Sequence, residues 1–92
     1  MKIWDNKVEE YKEVCKAIAD NEEKAPDVFA ILSEDEAEED EKRRSELKEL
    51  FAQAREIRSF LDGYRAAKAD EKDMDFFNDS WDLLEDIKHN RV

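Results

Sequence analysis

Ninety-two residues, 40% of them hydrophobic, allow one modest core and leave too little chain for a core and a deep cleft together. A single Gly and a single Pro among 47% charged residues argue against sheets, which need turns. One cysteine, Cys15, excludes an intramolecular disulfide and a Cys-based metal site. The net charge of −11, from 27 acids and 16 bases, sets up a field that repels nucleic acid and anionic membrane and attracts basic protein surfaces, so neither direct DNA or RNA binding nor membrane binding is expected.

The N-terminal stretch MKIWDNKVEEYKE has no apolar leader segment, and nothing downstream approaches the roughly 20 apolar residues of a membrane span. A reducing, cytoplasmic setting is the expectation. Trp4, Val8, Tyr11, Cys15 and Ile18 then recur at steps of four, three, four and three, a narrow apolar stripe that predicts a helix over 4–21. Asn6 with Glu9 resembles a capping box and places the start near Asp5 to Lys7. Pro26 suits the first turn of a short second helix over 26–32, where Val28, Phe29, Ile31 and Leu32 would plug one end of the core.

Ser33 with Glu36 is a clearer capping box, opening a long helix over 34–69. Its first turns carry seven carboxylates between Glu34 and Glu41, among them Glu34, Glu38 and Glu41. They favour the positive end of the helix dipole and pair forward as Glu38/Lys42, Glu39/Arg43 and Asp40/Arg44. Leu47, Leu50, Phe51, Ala54, Ile57, Phe60, Leu61 and Tyr64 form a wide apolar face. The good helix formers after Gly63 carry the helix through it, for a length of roughly 50 Å, so one end projects beyond its partners.

A turn at 70–73 leads to a last helix over 74–89. Phe76, Phe77, Trp81, Leu83, Leu84 and Ile87 fill one half of it, while Asp75, Asp79, Asp82 and Asp86 fall at steps of four, three and four on the other. From Asp70 to Asp86 there are eight acids and one base, Lys72, and no base stands four residues after any ridge acid. Asp is a poor interior helix former, and a sequence seeking only solubility would more economically use Glu or Lys. Four short, stiff carboxylates about 4.5 to 6 Å apart along an axis hold charge with little rotamer freedom, as a copy of a phosphate row requires.

These readings combine into a single all-α domain spanning 1–92, a small bundle of three main helices with a long central one and a short extra helical turn near Pro26. Trp4, Phe51, Phe77 and Trp81 are assigned to the core, with Trp81→Ala costing about 3 to 5 kcal/mol. Phe29 and Tyr64 stand near chain reversals, where they close the bundle ends or meet a partner. No catalytic, cofactor or metal site is expected. His89 sits in the last helical turn where a cation is favoured, Cys15 lies on the apolar stripe, and the acidic run lacks the glycine-containing pattern of a calcium loop.

In charge and size alone the chain is similar to small acidic DNA-mimic inhibitors of nucleic-acid enzymes, such as phage counter-defence proteins. That likeness implies a non-enzymatic inhibitor or modulator that covers the basic surface of a partner such as a nucleic-acid-processing enzyme. The candidate partner-binding residues, read from the two acidic clusters, are Asp75, Asp79, Asp82 and Asp86 together with Glu34, Glu38 and Glu41. The alternative is a structural adaptor or homo-oligomer in which the stripe of the first helix pairs between chains and the acids only maintain solubility.

Overall fold

The computed structural model describes residues 2–27 and 30–91. Three helices follow in order, α1 (Lys2–Glu23), α2 (Glu34–Asp70) and α3 (Met74–Lys88), with no strand among the described residues. The all-α bundle with a long central helix is therefore the observed architecture. Trp4, Val8, Tyr11 and Cys15 of the α1 stripe are all buried and form the core with Leu61 of α2 and Leu84 and Ile87 of α3. Trp4 also meets the rings of Tyr64 and Phe76 at 5.2 and 5.0 Å, so Tyr64 closes the end of the bundle from within.

α1 begins at Lys2, earlier than the Asn6/Glu9 box implied, and leaves Asn6 inside the helix. Glu9 pairs forward with Lys12 instead. The other end of α1 is fixed by Asn21, which is buried although polar. Its Nδ2 donates to the Arg43 carbonyl and its Oδ1 accepts from Arg43 Nη1, both at 3.1 Å. α1 thus runs antiparallel to α2, with Trp4 beside Tyr64 and Asn21 beside Arg43.

The helix expected over 26–32 is absent at its described positions, where the Ala30 N–H donates to the Asp27 carbonyl at 3.0 Å. Ile31 is 98% exposed and so gives a short helix here no buried anchor at that position. Val28 and Phe29, to which the plug was also assigned, lie outside the described residues.

α2 starts as the capping box predicts. Ser33 Oγ accepts from the Glu36 N–H at 3.3 Å and donates to the Glu36 carboxylate at 2.9 Å. The helix then runs unbroken through Gly63. Its 37 residues, about 55 Å at the helical rise, set the long dimension of a molecule measuring 57 × 19 × 18 Å. α2 ends in a Schellman turn: Asp73 N–H reaches the Lys68 carbonyl and Lys72 N–H that of Ala69, both at 2.9 Å, with Lys72 left-handed at φ 67°.

α3 is capped by Asp73, whose side chain accepts from the Phe76 N–H. Its buried arc is centred on Ser80, Leu84 and Ile87, which puts Trp81 at the edge, 47% exposed, a correction to its expected burial. Phe51 is likewise exposed rather than core. The cause is length: α3 spans about 22 Å, and α1 about 33 Å, against 55 Å for α2, so much of the wide apolar face of α2 has no third helix over it.

Two positions invert the usual residue preferences. Gly63 sits mid-helix with no atom within 4 Å of where a Cβ would stand, while a lysine occupies the left-handed position that favours glycine. Gly63→Ala and Lys72→Gly should each raise stability by about 0.5 to 1 kcal/mol in urea titrations. Leu84→Ala, at a site with no exposure, should lower it by about 2 to 5 kcal/mol in the same titrations.

Candidate protein-interaction surface

The surface is built outward from two arginines of α2. Arg65 is buried, and a buried guanidinium is tolerable only when its donors are met. Nε donates to Ser80 Oγ at 2.7 Å, Nη2 to the Phe77 carbonyl at 2.6 Å, and Nη1 reaches Asp62 at 3.4 Å. The guanidinium also lies 4.4 Å from the Phe77 ring centre and 5.3 Å from that of Trp81.

Two helical turns away, Arg58 joins all three helices. It donates to Tyr11 Oη at 3.2 Å, to Asp62 at 3.1 Å and to Glu85 at 3.4 Å, with the Trp81 ring centre 5.1 Å away. Burial alone would pull this guanidinium down; the hydrogen bonds to Tyr11 and Asp62 outweigh it and hold the group above its usual range. Burial also pushes the Tyr11 hydroxyl and the Cys15 thiol up, so Cys15 stays protonated.

With its inner side so fixed, α3 turns Asp75, Asp79 and Asp82 outward. All three are exposed, and among the described residues none makes an ion pair. Asp86, the fourth residue of the expected ridge, is different. The chain doubles back through Asn90 at φ 57°, and Arg91 meets the Asp86 carboxylate at 2.9 Å through both Nε and Nη2. The expected absence of basic neighbours therefore fails at that position, because the partner comes from beyond the helix end.

The acidic run of α2 is helical, with Glu34, Glu38 and Glu41 exposed. Of the three expected forward pairs only Asp40/Arg44 forms, at 2.9 Å. Asp40 is buried and also takes Arg43 at 3.0 Å, drawing that arginine away from Glu39 and toward Asn21. Glu41 stands 17 residues before Arg58, the anchor of Glu85, or about 26 Å along α2. The two acidic clusters are thus separate patches, not one row.

His89 is exposed and caps α3 through its N–H to the Glu85 carbonyl. Among the described residues no group of three or more His, Cys, Asp or Glu is placed to share a metal ion. No described helix is long and apolar enough to cross a membrane. No protein-family model, curated protein or solved structure matches this chain.

One outcome follows from the arginine network and one from the burial of Tyr11 and Cys15 beside it. Trp81→Ala should cost only about 1 to 2 kcal/mol in denaturant titrations, since a half-exposed ring over two guanidiniums loses cation–π contact and partial burial, not a core. Because the folded state raises the Cys15 and Tyr11 values, their neutral forms contribute stability that is complete below the ordinary values of 9.0 and 10.0 and is lost as pH rises beyond them. The melting temperature should therefore fall above about pH 9, and less steeply in Cys15→Ala.

Proposed function

We propose that this protein is a non-enzymatic interaction module that covers a basic surface of another protein, one suited to nucleic acid, through the outward carboxylates of α3. The observation that carries the reading is the pairing of an unneutralised Asp75, Asp79 and Asp82 face with an inner face locked by Arg58 and Arg65. Carboxylates on a helix already held still lose little freedom on binding. They are spaced about 6 and 4.5 Å along the axis, a rigid row of negative charge that basic side chains can meet in register.

Glu34, Glu38 and Glu41, about 26 Å or more away, act in this reading as a second patch that speeds encounter through the long-range field. Asp86 contributes least, being held by Arg91. Burial of Trp4, Val8, Tyr11 and Cys15 within one chain supports this reading over the alternative, a structural adaptor or homo-oligomer pairing through the α1 stripe, to which only the half-buried Ile18 of that stripe would remain available.

The test is capture from bacterial lysate at low and high salt with mass-spectrometric identification, followed by kinetics on the identified partner. Reversing Asp75, Asp79 and Asp82 to Lys should abolish low-salt binding while circular dichroism and melting stay near wild type. Reversing Glu34, Glu38 and Glu41 should slow association with little change in dissociation. Full binding by both triple variants, or a complex indifferent to salt, would overturn the proposal.

A further inference from the structure

The groove between α1 and α2 that α3 occupies does not end where α3 ends. It opens along the flank of α3 from the exposed edge of Trp81 and runs on past His89 between Ile18 and Ala19 of α1 and Phe51 and Ala54 of α2, an open trough of about 680 Å³ in all. Leu47, half-buried, extends the apolar strip toward Arg44. From Arg44 to Arg55 the strip measures about 17 Å, three helical turns.

The rim carries the opposite charge to the chain as a whole. Lys48, Arg55 and Lys88 stand along it with no ion pair among the described residues, opposed by Glu22 alone, because Asp62 and Glu85 are both taken by Arg58. α3 itself demonstrates what this groove accepts: apolar side chains, Leu84 and Ile87, set into the floor and a carboxylate, Glu85, laid onto an arginine of α2. We propose that the vacant part of the groove receives an acidic amphipathic helix of another protein, its apolar side on Ile18, Phe51 and Ala54 and its carboxylates on Lys48 and Arg55. This site is distinct from the Asp75–Asp82 face, which meets bases rather than acids.

The probe is an acetylated, amidated peptide spanning Asp73 to His89 of this sequence, titrated into the full-length ¹⁵N-labelled protein at low salt. Saturable binding is expected, with amide shift changes at Ile18, Ala19, Phe51 and Ala54. Arg55→Glu, at an exposed position outside the core, should weaken it at least about tenfold, and Phe51→Glu should do the same. A peptide with Asp79, Asp82 and Asp86 changed to Lys should lose binding. Absence of saturable binding would overturn the proposal, as would shifts confined to Leu61 and Arg65, which would mean displacement of the resident α3. Concentration-dependent dimerisation abolished by Phe51→Glu would also overturn it, assigning the groove to a second copy of this chain.

Discussion

Everything outward of the core depends on how α2 holds α3. That helix has fifteen residues, of which only Leu84 and Ile87 are fully buried apolar side chains, and its sequence is rich in Asp, a weak interior helix former. Arg65 and Arg58 add a hold of another kind: planar forks that bind a hydroxyl, a carbonyl and carboxylates while stacking on rings. Lysine has neither the fork nor the flat face. Because α3 is gripped from inside, its outer side is free to carry residues that local propensity disfavours.

The same geometry explains which parts of the fold were legible in the sequence. The α1 stripe, the Ser33 cap and the passage of α2 through Gly63 are set by period and local chemistry, and they stand where the spacing put them. Trp81 stands at the edge while Arg65, which the sequence reading did not single out, is buried, since a reading that sorts residues into apolar and charged sends every tryptophan to the core and looks for no arginine there. One signal was present in Ser80, a small polar residue at the centre of an otherwise apolar arc, whose hydroxyl donates to the Phe77 carbonyl of its own helix and accepts from Arg65 of α2. Asp75, Asp79 and Asp82 were legible because a helical ridge is a matter of angle. Asp86 was not, because its partner is reached through a turn that no helical spacing encodes.

Net charge, too, describes this surface poorly. Acids are concentrated in a face on α3 and in the start of α2, while Lys48, Arg55 and Lys88, with no ion pair among the described residues, line the groove between them. Polar clusters, buried at Asn21 and Asp40 and half-buried elsewhere, mark the boundaries of these territories: Asp40 with Arg43 and Asn21 near one end, Arg58 with Asp62 and Glu85 in the middle. Each such cluster fixes a local charge pattern that a solvated chain of the same composition would average away.

The unbroken course of α2 has a mechanical consequence. A single helix of 37 residues has no joint at which its two ends can turn independently, so the α2 acids and the α3 acids are carried at one separation and one relative angle, like marks on a ruler. For a bivalent ligand such a spacer does not trade distance for probability, as a flexible linker does; it admits both contacts or only one. In the proposed reading, selectivity then resides in the spacing of a partner's basic sites as much as in their charge, a spacing that the Asn21–Arg43 and Tyr11–Arg58 contacts with α1 brace at two levels of α2.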